Sequence, residues 1–179
     1  AAYRGWQRQP DQPSVQQTLD RALTTLRSEP VEVTGAGRTD TGVNASYYVA
    51  HFDVRQPVAD PAQTLYKLNF LLPDDISVGG LTPVAEGAHA RFDAREREYT
   101  YRIETRKNPF TRLLSWQYYV PLDLERMNRA AAMLTEFRDF TSFAKLNSNN
   151  RTNISRISEP GWSAESGCVL RVRVRAAPF

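Results

Sequence analysis

A glycine-rich run held between two β-patterned stretches constrains this chain more than any other feature. Val31-Glu32-Val33-Thr34 leads into Gly35-Ala36-Gly37-Arg38-Thr39-Asp40-Thr41-Gly42-Val43-Asn44-Ala45, and Ser46-Tyr47-Tyr48-Val49-Ala50-His51-Phe52-Asp53 leads out. β-Branched and aromatic residues dominate both flanks, so both read as strands and the loop is anchored at each end. Glycines at 35, 37 and 42 open backbone conformations closed to residues with a Cβ and let a ligand approach the main chain. Arg38 and Asp40 are presented from that turn. Two phosphate-binding readings fail on spacing. Gly35-x-Gly37 is followed by Gly42, too late for a dinucleotide fingerprint, and a strand rather than a helix comes next. Gly37 and Gly42 have the Walker spacing, but Val43-Asn44 stand where a lysine and a hydroxyl would hold phosphate and magnesium. What remains is a lone carboxylate beside an arginine. A tight β-turn with a surface Arg–Asp pair has the same composition, so the loop by itself leaves a structural and a functional reading open.

Three helices are expected around it. Ser14 has the character of an N-cap, with Gln17 as its capping-box partner, and Val15, Leu19, Ala22, Leu23 and Leu26 recur at helical spacing before Pro30. A second helix opens at Asp60-Pro61 and carries Leu65, Leu68, Phe70, Leu71 and Leu72 up to Pro73. A third opens at Asp123 with Leu124, Met127, Ala130, Ala131 and Leu134. Strand-like runs fall at 31–34, 46–54, 76–84, 97–105 and 168–175. Helices interleaved with strands that lack the hydrophobic continuity of a parallel sheet indicate an α+β fold with an antiparallel or mixed sheet. A Pro- and Gly-containing stretch at Glu86-Gly87 precedes an arginine-dense region, which divides the chain into lobes at 1–87 and 88–179. Lys145 to Asn153 is polar and turn-prone and is expected to be a mobile, solvated loop.

Within the 97–103 strand, alternation sets Tyr99, Tyr101 and Ile103 on one face and Thr100 and Arg102 on the other. Periodicity treats both tyrosines as ordinary strand aromatics. Near the end of the chain Leu170, Val172 and Val174 alternate with Arg171, Arg173 and Arg175, an apolar face backed by three cations. Water is the commoner partner of such a face and nucleic acid the rarer one.

The 179 residues, 41% of them hydrophobic, suffice to bury a substantial core. No apolar run reaches membrane-spanning length and no signal peptide pattern opens the chain, so a cytoplasmic location is expected. The single cysteine, Cys168, excludes an intrachain disulfide here, and His51 and His89 lack metal-ligand spacing, so no metal is expected. The formal net charge is +3, and 20 of the 23 cations are arginine. That bias suits bidentate phosphate contacts, although high genomic arginine usage produces the same count.

In order and spacing, a further set of motifs resembles the bacterial TruA-type tRNA pseudouridine synthases along nearly the whole chain. They are Tyr3-Arg4-Gly5-Trp6-Gln7-Arg8-Gln9-Pro10, Ser14-Val15-Gln16, Gly37-Arg38-Thr39-Asp40-Thr41-Gly42-Val43 and Leu68-Asn69-Phe70-Leu71-Leu72-Pro73-Asp74-Asp75-Ile76, with His89-Ala90-Arg91-Phe92-Asp93-Ala94, Arg97-Glu98-Tyr99-Thr100-Tyr101-Arg102-Ile103 and Asp139-Phe140-Thr141-Ser142-Phe143 following. The resemblance implies two ferredoxin-like, RRM-like lobes sharing a mostly antiparallel sheet around a basic cleft. It also implies isomerisation of uridine to pseudouridine in the anticodon stem-loop of tRNA, without a cofactor, by a homodimer. Asp40 matches the family's catalytic aspartate, and Tyr99 its active-site tyrosine that packs on the target base, which leaves Tyr101 with the core. Arg38, Arg91 and Arg97 lie in matching motifs and are carried over as substrate-binding residues. Asn44 and Asn147 stand where the family usually has histidine. Against the family pattern, both chain ends, at Ala1 and Phe179, are expected to be clipped, which removes a strand and a C-terminal basic partner of the catalytic aspartate.

The chemistry of that reaction fits a carboxylate. The N1–C1′ bond breaks and the uracil rejoins through C5, so an acid residue either attacks the sugar or takes a ribose proton. A non-catalytic RNA binder of the same fold is the alternative, and Asp40 opposes it because a carboxylate in an RNA cleft repels phosphate. A glycosidase or nucleoside hydrolase would usually need a second carboxylate, and none accompanies Asp40 in the motif.

Overall fold

The computed structural model describes residues 2–143, 153–166 and 169–176, and the chain forms two compact units, Ala1–Asp93 and Ala94–Phe179. Residues 88–93, which the composition break assigns to the second lobe, are tied to the first unit through a hydrogen bond from Ala90 N–H to His51 Nδ1. Mixed helices and sheets agree with the expected α+β class. The described strands form two sheets, one of two strands and one of four.

In the first unit, α1 (Val15–Arg27) starts where Ser14 Oγ accepts from Gln17 N–H and ends at Ser28 in a left-handed conformation. Its expected apolar stripe is the core: Leu19, Ala22 and Leu23 are buried with Trp6, Val31, Val33, Leu68 and Leu72, and Val15 and Leu26 pack at the margin. Helix α2 (Pro61–Leu71) is capped by Asp60. Only Leu68 and Leu72, one helical turn apart, reach the core, whereas Phe70 is 82% exposed and Leu71 about half exposed. Both lie off the line from Leu68 to Leu72, so a run of apolar residues overstated the buried face.

The expected strands around the loop shrink to β1 (Thr34–Gly35) and β2 (Ala50–His51), paired antiparallel with Thr34 opposite His51. Helix side chains explain the loss, because they satisfy the adjoining backbone in place of a neighbouring strand. Val33 N–H donates to Asp20 Oδ1 at 2.8 Å and Val33 C=O accepts from Gln16 Nε2 at 2.7 Å, while Val31 N–H donates to Thr24 Oγ1. No strand forms at 76–84 either. Asn69 of α2 both accepts from Val78 N–H and donates to Val78 C=O, each at 2.8 Å.

In the second unit, β3 (Arg97–Glu104) lies at the centre of the sheet. It pairs parallel with the short β4 (Trp116–Gln117) and antiparallel with β6 (Val169–Ala176), which pairs antiparallel with β5 (Ile157–Ser166). β4 and β5 carry no sequence signal strong enough to have been expected, since Pro160 and Gly161 interrupt β5 and β4 spans two residues. Helix α3 (Leu124–Met133), capped by Asp123, buries only Ala131 of its five expected core residues. Its Asn128 takes both the N–H and the C=O of Trp162 on the outer strand β5, so a helix covers that edge. Tyr101 is 54% exposed instead of core, because only Ile103 and Glu104 at the end of β3 are buried. The loop expected at 145–153 lies, except for Asn153, outside the described residues, as do Asn147 and Cys168.

Asp20 →Ala is expected to remove the acceptor of a buried N–H and lower stability by about 1–3 kcal/mol, read as a shift in the urea midpoint. Burial, which outweighs the Val33 hydrogen bond and the Arg8 charge, raises the Asp20 carboxyl above its ordinary value. A carboxyl raised in the folded state stabilises fully below its unfolded pKa, and the contribution is lost as pH climbs through the raised one. Asp20→Asn, which keeps an acceptor without a charge, is therefore expected to flatten that part of the stability–pH curve.

Candidate active site

The glycine-rich loop is shaped from beneath by two aromatic rings. Trp6 and Tyr48 stack with centroids 4.2 Å apart, and both press on Gly35. A Cβ at position 35 would lie 2.4 Å from Trp6 Cε2 and from the Tyr48 hydroxyl, so the residue is glycine for space. Of the loop's three glycines, Gly42 is the one in the left-handed region, with φ +86°. The Tyr48 hydroxyl accepts from Gly37 N–H at 3.1 Å and donates to Gly37 C=O, closing the turn on itself. Ala36 N–H donates to Val49 C=O across the same loop.

The N-terminal segment supplies a second clamp directly before the carboxylate. Trp6 N–H donates to Thr39 C=O at 3.3 Å, and Gly5, at φ +96°, would drive a Cβ to 2.2 Å from that same oxygen. Gly5 and Trp6 are in turn fixed on α1, since Val15 N–H donates to Gly5 C=O and Gln16 N–H to Trp6 C=O. Asp40 follows Thr39 with its side chain exposed, and Val43 N–H donates back to Asp40 C=O. Arg38, on the other side of Thr39, is exposed as well. Among the described residues the two form no ion pair with each other, so the surface-pair reading of the loop fails and both charged groups face solvent. Asn44 donates from Nδ2 to Gly42 C=O at 3.3 Å, a local bond within the turn.

Arg91, also exposed, sits on a turn of the first unit that Ala90 ties to His51 of β2, the strand paired with β1 at the entrance to the loop. Tyr99 and Arg97 belong to the second unit, on one face of β3, opposite Val174 and Ala176 of β6. Tyr99 is 48% exposed, leaving part of its ring available to a ligand.

Carboxylates neutralise much of the arginine face of that sheet. Arg175 bonds Glu98 at 2.9 Å and approaches Glu159 at 3.2 Å, while Arg171 and Arg102 converge on Glu165 at 2.7 and 3.2 Å. The hydrogen bond to Glu98, with the Glu159 charge, raises the Arg175 pKa further above its ordinary value. The side chain of Arg173 lies outside the described residues. Sequence alternation placed these arginines on one face but could not show the acids brought beside them by neighbouring strands. Tyr48 was likewise hidden, since a tyrosine in a β-patterned run carries no mark of the two bonds its hydroxyl makes.

A shallow groove of about 270 Å³ lined by Thr18, Arg21, Ala22, Thr25 and Leu71 lies on the two helices and includes none of these residues. Among the described residues no three His, Cys, Asp or Glu side chains are grouped to hold a metal ion, and no helix is long and apolar enough to cross a membrane.

No protein-family model matches the chain. Individual relatives do. The tRNA pseudouridine synthase A of Parabacteroides distasonis is 45% identical over 177 residues, 99% of this chain and 70% of the relative. The protein of that name in Bacteroides thetaiotaomicron is 51% identical over 165 residues, 92% of this chain and 61% of the relative. The one in Gloeobacter violaceus is 42% identical over 178 residues, 98% of this chain and 58% of the relative. The chain thus spans between 58% and 70% of the length of these three proteins. Identity at this level over almost every residue of the chain, in proteins of one name, places it in the tRNA pseudouridine synthase A family.

Proposed function

We propose that the chain isomerises uridine to pseudouridine in the anticodon arm of tRNA, with Asp40 as the catalytic residue. The observation that carries this reading is an exposed carboxylate held at Thr39 by Trp6 and at Gly37 by Tyr48, in a family named for that reaction. A fixed, solvent-facing carboxylate fits chemistry on a nucleotide that has to leave its stack to be reached. The N1–C1′ bond breaks, the freed uracil turns, C5 bonds to C1′, and the proton lost from C5 is balanced by the one N1 gains. No electrons leave the substrate and no external group enters it, so the reaction calls for no cofactor.

Asp40 either attacks the sugar or removes a ribose proton, and both routes use the same exposed oxygen atoms. Arg38, one residue from the Thr39 anchor, fills the place of the extruded base or holds a phosphate. Tyr99 stacks on the uracil, and Arg91 and Arg97 bind the backbone. In this reading the lobes are ferredoxin-like, and the enzyme works in the cytoplasm as a homodimer. A protein that only binds RNA is the weaker reading, because Asp40 would repel the phosphates it is meant to hold.

Asp40→Asn is expected to abolish tritium release from tRNA labelled at uridine C5 while tRNA binding stays within about threefold of the parent chain. Turnover near the parent level would remove Asp40 from the mechanism. Binding should weaken linearly in log K against log salt, with a slope of about −0.7 to −0.9 per neutralised phosphate. A flat plot would leave Arg38, Arg91 and Arg97 as solvated surface. Light scattering at micromolar protein is expected to give twice the chain mass, and a fully active monomer would overturn the dimer.

A further inference from the structure

The two histidines of the chain and one phenylalanine form a column of rings in the first unit. The His51 and His89 centroids are 4.7 Å apart, and Phe92 stacks on His89 at 4.1 Å with an interplanar angle of 27°. Phe92 ends the column and is 75% exposed. A single exposed ring is ordinary on a protein surface, but this one is held in place by the turn that carries it.

The turn that carries it is closed by reciprocal bonds. His89 Nδ1 accepts from the N–H groups of Arg91 and Phe92 at 3.2 and 3.3 Å, while Asp93 N–H donates to His89 C=O at 2.9 Å. Asp93 Oδ2 in turn accepts from His89 N–H at 2.7 Å. Ala90 N–H, at the centre of the turn, donates to His51 Nδ1 at 3.1 Å. His51 is the residue of β2 that pairs with Thr34, which enters the loop bearing Asp40. The same short ladder therefore carries the carboxylate and the exposed ring, and Arg91 stands next to that ring in the sequence. A pre-ordered aromatic face beside an arginine has the chemistry of a single-strand nucleic acid contact, in which the ring stacks on any base and the cation meets its phosphate.

We propose that Phe92 is a stacking platform for an unpaired base of the RNA substrate, next to but separate from the base that Asp40 acts on. His89 and His51 are its positioning residues, and Arg91 holds the adjoining phosphate. The inference rests on the reading of the chain as a tRNA-modifying enzyme. Arg91 on one side of the ring, with the Asp93 carboxylate on the other side engaged by the His89 N–H at 2.7 Å, selects RNA over a second protein copy as the occupant, because the ring offers a base its face and the cation offers its phosphate a partner.

Binding of a tRNA anticodon stem-loop to the 179-residue chain, measured by fluorescence anisotropy over a series of salt concentrations, tests it. Phe92→Ala is expected to weaken binding by about 5- to 150-fold at every salt, leaving the salt slope unchanged, since stacking releases no counterions. Phe92→Tyr should restore affinity to within about twofold, and Arg91→Ala should instead reduce the slope by about one phosphate. An unchanged urea midpoint in Phe92→Ala is expected from the exposure of the ring and separates lost contact from lost fold. Affinity of Phe92→Ala within about twofold of the parent chain overturns the proposal, as does a loss that Phe92→Tyr fails to restore. A change of oligomeric state in place of RNA affinity would assign the ring to a second copy and overturn it as well. Binding that depends on Phe92, together with tritium release by Asp40→Asn near the parent level, would overturn the catalytic role of Asp40 and leave this contact standing.

Discussion

Backbone groups of strands too short to satisfy one another depend on polar side chains from the helices. β1 and β2 contribute two residues each, so the segments beside them cannot complete their hydrogen bonds by strand pairing. Gln16 and Asp20 of α1 take both polar groups of Val33, and Asn69 of α2 takes both of Val78. Asn128 of α3 does the same to Trp162 in the second unit. Each such clamp lets an apolar residue be buried, or a sheet edge be covered, without an orphaned N–H. Val33 is 2% exposed, and its burial next to Leu23 and Leu68 is possible because its backbone is already satisfied.

The position of Asp40 follows from that arrangement. With 31–33 fixed on α1, the chain passes through Gly35 under Trp6 and Tyr48, and the turn is then closed at Gly37 by a hydroxyl and at Thr39 by the N-terminal segment. Three separate parts of the sequence thus set one carboxylate. Gly5 and Gly35 belong to that path for space, since a Cβ at either would strike the loop or its supports.

Charge count alone misjudges the second unit. Its arginines suggest a cationic strip, yet Glu98, Glu159 and Glu165 lie against Arg175, Arg171 and Arg102. Exposed pairs of this kind contribute at most about 1 kcal/mol each to stability, but they cancel much of the field an RNA would feel. Arg38 and Arg91 of the first unit are exposed on turns, Arg38 two residues from Asp40 and Arg91 next to Phe92 in the sequence.

Local features were legible in the sequence because their causes are local. The three helices, their caps at Ser14, Asp60 and Asp123, the stripe from Val15 to Leu26 and the loop presenting Arg38 and Asp40 all follow from spacing, side-chain oxygens and glycine. The motif order from Tyr3 to Phe143 was sufficient to indicate the family, as the relatives bear out. Tertiary structure decided which apolar residues were buried: it took Leu68 and Leu72 but left Phe70 and Tyr101 in water, because packing uses one side of an element and composition does not say which. It also decided that Val31, Val33 and Val78 bond to helix side chains, that Glu165 meets two arginines, and that Tyr48 closes on Gly37 while His51 meets His89. Those partners are far apart along the chain, and only the folded path brings a donor within about 3 Å of its acceptor.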